Sequence, residues 1–389
     1  MEHRVILTIS LDTLAANYRA ICGIVAPCTV MPVLKANAYG LGVGPIARAL
    51  VAAGAPRIAV AEPFEALELL ELGVPVQILS GILPDEIEPM IAQGVTLPLV
   101  DLDSAERLSA AARRLGRTAT VHVKLDTGMG RAGIRWEQAP EIIRAAARLP
   151  NLTLEGLFTH FPLAYESASD FTREQLRRFR FVLEAAAADG IHFRWCHAAN
   201  SDAINNAPEA CATPFNLVRS GINLHGAFDA AGSLRVPLRP VLTMTTRLAQ
   251  IRELPADTPI GYGHTYRTRR PMRVGTVCAG YADGLPLALS NRGSVLIRGI
   301  AAPIIGRLSM DYLTVNLDDL PEAQVGDRVT LLGRDGDREI PVQDWANLKG
   351  THAYDIICSI GSRVQRRWEA SDPTPPPRIA PIVNRSPNA

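Results

Sequence analysis

Eight short runs of β-branched and other apolar residues recur between residues 28 and 226: CTVMPVLKA, RIAVAE, VQILSG, VTLPLV, TATVHVKLD, LTLEGLFTH, FRWCHAAN and NLVRSGINL. Between most of them lie segments rich in Ala, Leu, Glu and Arg. In FTREQLRRFRFVLEAAAADG, Phe171, Leu176, Phe179 and Leu183 recur every three to five positions, which is helical spacing. Gly or Pro closes several of these segments, as helix stops do. Strand runs that are apolar on both faces suit a parallel sheet covered by helices. Eight is the number that closes a barrel, so the pattern predicts an N-terminal (β/α)8 TIM-like barrel over residues 11–235. An open doubly wound sheet is the alternative, because periodicity does not reveal closure.

The texture changes after residue 235. RPVLTMTTRLAQIREL, MRVGTVCAGYA, GSVLIRGIAAPIIGRL, YLTVNL and DRVTLLGRDGDREI read as strands joined by Gly, Asp or Pro turns, with few helical patterns. This predicts a mostly antiparallel β C-terminal domain over 236–369, joined by a strand from residues 1–10. Residues 370–389 are rich in Pro and polar groups and read as a disordered tail.

Bulk properties narrow the function. The 389 residues carry 40 Lys and Arg against 39 Asp and Glu, a net charge of +1. Such a balance offers no overall field for nucleic acid or an anionic membrane. The apolar run near Val5 is too short for a signal peptide, and no segment is long enough to span a bilayer. Six scattered cysteines with no C-x-x-C pair read as reduced thiols, with no metal site expected. A cytoplasmic protein is the expectation.

Candidate chemistry comes from where polar residues meet strand ends. Lys35 ends the first strand, Lys124 and Asp126 the fifth and His160 the sixth. Asn200 and Ser201 follow the seventh, and Arg219 and Gly221 belong to the eighth. Strand C-termini face the shared mouth where barrel enzymes keep their active sites. Any one of these residues alone would more often be structural; their convergence on one rim argues for catalysis. A lysine at the end of an apolar strand loses water, which lowers its pKa and frees the amine for Schiff-base chemistry. One motif competes with this picture: GMGRAG, after the fifth strand, matches G-x-G-x-x-G, and Glu155 follows where a ribose-binding acid belongs. A dinucleotide fingerprint, however, opens a βαβ half, whereas this one sits midway through a repeating array.

The motifs VLKANAYGLG, KLDTGMGRAG, LFTHF, HAANS, FNLVRSGI, YGHTY, GYADGL, GRLSMD and AYDI resemble, in order, the motif series of the alanine racemase family, over the chain up to about residue 368. The resemblance implies a pyridoxal 5'-phosphate (PLP) enzyme that interconverts L-alanine and D-alanine and supplies D-alanine for peptidoglycan. It makes Lys35 the residue that carries PLP and one of two catalytic bases, with Tyr262 the other. Arg219 would face the pyridine nitrogen; an arginine stays charged, keeps that nitrogen unprotonated and so limits side reactions. His160 would orient Arg219. Tyr39, Asn200, Ser201, Gly221, Ile222 and Tyr354 would contribute to the cofactor site, most of them around its phosphate. Arg131 would bind the substrate carboxylate, and Lys124 matches a position often carbamylated in the family. Met310 and Tyr262 would reach the site from the second subunit of a homodimer, and Tyr281 and Tyr354 would narrow its entrance in favour of a small side chain. His225, Ser220, Ser309 and Gly261 depart from the common pattern and bear on substrate breadth. A broader amino-acid racemase and a non-enzymatic PLP-binding protein are the rival readings.

Overall fold

The computed structural model describes residues 3–166, 169–228, 232 and 234–369. The predicted tail, residues 370–389, lies outside the described residues. All eight expected barrel strands form: Thr29–Pro32, Ile58–Val60, Val76–Ile78, Leu97–Leu99, Ala119–Asp126, Leu152–Phe158, Trp195–His197 and Leu217–Ser220. The eighth strand pairs in parallel with the first, Leu217 opposite Thr29. Bridges at Val33–Ala59 and Gln77–Thr96 join strands that no longer ladder connects. Backbone bonds from Asn216 N–H to Cys196 and from Arg219 N–H to Ala199 join the seventh to the eighth. The sheet is therefore closed, which excludes the open doubly wound alternative.

The second part also closes. Strands Leu242–Leu254, Met272–Val277, Leu313–Asn316, Ile300–Ile305, Ser294–Ile297 and Arg328–Asp335 pair antiparallel in that order, and the last pairs back onto the first. Closure removes the open edges that an antiparallel sheet would expose. Strand Ile6–Ser10 pairs antiparallel with Leu242–Thr245 and parallel with Gln365–Glu369. Ser10 then caps the helix Leu11–Val25, its hydroxyl accepting from Thr13 N–H at 3.2 Å. Two short helices, Val342–Lys349 and Ala353–Cys358, interrupt what the sequence texture reads as strands and turns.

The segment after Lys35 is unusual. Ala36, Asn37, Ala38 and Tyr39 are all left-handed, with φ between 52° and 61°. For L-residues this costs roughly 1–2 kcal/mol each, so the turn persists only where its surroundings hold it. Ala38 N–H donates to the Leu34 carbonyl, and the Asn37 side-chain oxygen accepts from Val43 N–H at 2.7 Å. From the far end of the described chain, Arg366 Nε donates to the Gly40 carbonyl at 3.1 Å and the Trp368 indole N–H to that of Leu41 at 2.9 Å.

Gly42 has φ of 99°, and a Cβ there would lie 2.3 Å from the Trp368 ring. Gly42→Ala is expected to destabilise the fold by about 1–3 kcal/mol, read from the shift in urea midpoint.

Candidate active site

Alternation along the fifth strand turns His122 and Lys124 to the same face, and that face is the barrel interior. Lys124 is buried; its Nζ donates to the Leu79 carbonyl at 2.8 Å and lies 5.6 Å from the centre of the Phe158 ring. Burial first, then the charge of Arg131, pushes its pKa down to about 8. Lys35 is exposed by surface area, yet the rim walls strip enough water that burial is the largest cause lowering its pKa, followed by Arg131. Lys35, Lys124, Arg131 and Arg219 lie within electrostatic reach of one another, so the mouth concentrates positive charge.

The glycines of GMGRAG serve this mouth. Gly128, Gly130 and Gly133 all have positive φ, and the Asp126 carboxylate accepts from Gly128 N–H at 2.9 Å and Gly130 N–H at 3.1 Å. The loop they form presents Arg131. Glu155 belongs to a different structure altogether.

Arg219 is buried on the eighth strand. Its Nη1 donates to His197 Nδ1 at 2.8 Å and the His197 carbonyl at 3.1 Å. Its Nη2 donates to the Thr159 and Ala198 carbonyls at 2.7 and 3.0 Å, with His160 Nδ1 at 3.4 Å. Among the described residues Nε has no hydrogen-bond partner. Burial lowers the Arg219 pKa to about 9, which leaves it charged at neutral pH. His160 therefore does contact Arg219, but His197 makes the shorter bond, and sequence reasoning did not single it out.

The chain of bonds continues through the barrel. His197 Nε2 lies 2.8 Å from His122 Nδ1, and His122 Nε2 lies 3.1 Å from Glu155. Arginine only donates, so His197 Nδ1 accepts and its proton sits on Nε2. That proton points to His122 Nδ1, and the His122 Nε2–H then donates to Glu155. One direction satisfies every group with both imidazoles neutral. Two local features make this possible. A bulge shifts the register between Val121 and His122, where Glu155 is the extra residue. Gly156 leaves room for the imidazole, since a Cβ there would lie 2.5 Å from His122 Nδ1. Arg57 closes the chain at the far end, 3.3 Å from Glu155. The H-x-K spacing in VHVKL puts His122 on the face of Lys124 but does not identify its bonding partners.

Around the eighth strand's end, Gly221 N–H donates to the Ser201 hydroxyl at 3.0 Å. A Cβ at Gly221 would fall 2.1 Å from the Tyr39 hydroxyl. Tyr39 is buried, its ring 5.3 Å from His225 and 5.9 Å from Tyr354. Ile222 is buried beside it, and Asn200 caps the helix Ser201–Asn206 by accepting from Ala203 N–H at 3.0 Å. His225 and Ser220, two of the departures from the common pattern, are fully buried. Tyr262, Tyr281 and Met310 are placed elsewhere, exposed on the β domain at 71%, 43% and 52%. No described contact joins them to Lys35. Ser309 lies with them, its carbonyl accepting from Tyr281 N–H, and Gly261 bridges to Arg307.

A closed barrel with four cations at its C-terminal rim, followed by a closed β domain, defines a class of two-part barrel enzymes suited to an anionic ligand. The particular family follows from comparison. Residues 9–229 match the model of the alanine racemase N-terminal domain and residues 241–368 that of the C-terminal domain. The alanine racemase of Syntrophobacter fumaroxidans is 40% identical over 358 residues, covering 91% of this chain and 94% of its own. The crystal structure of alanine racemase from a D-cycloserine-producing Streptomyces lavendulae superposes with a TM-score of 0.87 at 34% identity, over 95% of this chain and 98% of that one. The Bartonella henselae alanine racemase, solved with covalently bound pyridoxal phosphate, gives 0.85 at 30% identity, over 95% and 100%. The chain belongs to the alanine racemase family. No helix among the described residues is long and apolar enough to cross a membrane.

The histidine chain makes stability pH-dependent. Burial lowers the pKa of His122 to about 4, and it lowers His160 and His197 well below the ordinary imidazole value near 6.5. A folded pKa below the unfolded one means the stability is present above about 6.5 and lost as pH falls towards 4. The Glu155 carboxyl, held near 2 chiefly by its bond from His122, adds a further loss below about 4.5. Urea midpoints measured from pH 8 to 4 should fall steeply below about 6.5; a flat profile down to pH 4.5 would contradict neutral buried histidines.

Proposed function

We propose that this protein is a PLP-dependent alanine racemase in which Lys35 carries the cofactor. The observation that carries the reading is the pairing of a desolvated amine, Lys35, with a buried guanidinium, Arg219, at one barrel mouth. The residues fit the cofactor. Arg219 has its two terminal nitrogens taken by protein and keeps Nε as a donor for a ring nitrogen. Gly221 leaves open the space that any side chain would fill against Tyr39. Hydroxyl and N–H groups of Tyr39, Ser201, Gly221, Ile222 and Tyr354 suit a phosphate, and Asn200 fixes the turn that carries Ser201.

Bound PLP supplies the electron sink that makes the substrate's Cα–H acidic enough for a side chain to remove. Lys35 and Tyr262 take the proton from one face and return one to the other. Arg131 holds the substrate carboxylate by charge-assisted hydrogen bonds. Arg219 donates but cannot accept, so it keeps a neighbouring ring nitrogen unprotonated, and His160 and His197 hold it in place. Tyr262, Tyr281 and Met310 are exposed on the β domain, which supports a homodimer whose second subunit brings them to Lys35. The role follows: a cytoplasmic enzyme providing D-alanine for the cell wall.

Purified protein with PLP should bring L-alanine to an equal mixture of L and D, followed by chiral chromatography. Lys35→Ala should abolish this, and Tyr262→Phe should lower the rate by about 100-fold or more. Unchanged L-alanine with active turnover of serine would move the assignment to a broader racemase.

Lys124 is proposed to be carbamylated, since a pKa near 8 leaves a useful fraction of nucleophilic amine at neutral pH and the resulting anion would steady Arg131. Protein equilibrated with ¹³C-bicarbonate should show a carbamate carbon resonance that Lys124→Ala lacks.

A further inference from the structure

Two stretches of rim backbone meet on one carboxylate, and a third is tied to one of them. Glu65, in the helix Pro63–Leu69, accepts from Ala61 N–H at 2.9 Å and Glu62 N–H at 3.1 Å through Oε2. Its other oxygen accepts from Ala36 N–H. The Ala61 carbonyl in turn accepts from the Ser80 hydroxyl. The loops after the first, second and third barrel strands are thereby tied together. Leu79, beside Ser80, provides the carbonyl that holds Lys124. Both lysines of the mouth thus connect to the same tie.

Helix capping accounts for the bond from Glu62, because Glu65 is the third residue of its helix. It does not account for Ala36, which lies in a different loop, after the first barrel strand, and opens the left-handed turn directly after Lys35. The φ of that turn is unfavourable at four consecutive residues, and Glu65 grips its first N–H. Glu65 also supplies negative charge to Lys35, whose other charged neighbours include Arg131 and Arg219.

We propose that Glu65 is a positioning residue for Lys35, fixing the backbone that aims the lysine and supplying the local negative charge that tempers its cationic surroundings. This rests on the role given to Lys35 above. A carboxylate is suited to the task because it has two oxygens for three N–H donors arriving from two loops, where an amide would turn a donor towards some of them.

The test combines kinetics of the holoenzyme with labelling of the cofactor-free full-length chain. Dinitrofluorobenzene, which reacts with neutral amines, is applied across pH, with Lys35→Ala subtracted to isolate the Lys35 signal. For Glu65→Gln the expected outcome is a kcat lower by about tenfold or more with KM changed less than about twofold. The Lys35 labelling midpoint should move to lower pH, because the carboxylate charge is gone. Ser80→Ala, which loosens the same tie without removing charge, should lower kcat in the same direction and leave the midpoint in place. A labelling midpoint in Glu65→Gln equal to that of the unmutated chain, or an unchanged kcat in both variants, would overturn the proposal, even with a lowered melting temperature. If Glu65→Gln does not fold, an unchanged kcat in Ser80→Ala overturns it. Failure of the unmutated chain to racemise alanine would instead count against the reaction, while the labelling shift still tests Glu65 by itself.

Discussion

Arg219 places a full positive charge inside a barrel, and much of the surrounding interior can be read as the response to it. A buried guanidinium must find acceptors, and carbonyls from Thr159, His197 and Ala198 and the imidazole of His197 provide them. Because arginine never accepts, the direction of every following bond is set, through His197 and His122 to Glu155. The chain that starts at a guanidinium ends at a carboxylate, which Arg57 pairs in turn. Gly156 and the bulge at Glu155 have no role in the mouth itself; they exist to let that chain pass between strands.

The fold was largely legible in the sequence. All eight barrel strands follow from apolar runs and helical spacing, because most of their residues are buried on both faces. Closure was not legible, since it depends on the Thr29–Leu217 pairing between distant segments. Nor was the second closure, of the β domain, where texture indicates strands but not their order. In the site, residues at strand ends were readable because position alone assigns them to the rim. His197, His122 and Glu155 were not, because a buried histidine looks the same in sequence whether it relays a charge or fills space. Glu155 had even suggested a ribose contact, but in the structure it bonds to His122 and Arg57.

The rim cations explain the motif that first resembles a dinucleotide loop. Glycines allow positive φ wherever backbone must turn tightly, and GMGRAG uses that freedom to wrap N–H groups around Asp126, not around a phosphate. The result is a rigid loop that can hold Arg131 near two lysines despite their mutual repulsion. Burial first, and that repulsion second, lowers both amine pKa values.

The latch between residues 366–368 and the turn after Lys35 has a consequence for how the protein is made. Its partners are separated by 326 and 327 positions. A ribosome delivers this turn early, yet Arg366 and Trp368 emerge only after the β domain has been synthesised. The nascent barrel therefore holds this turn by Glu65 and its own local bonds alone until residues 366–368 have been made.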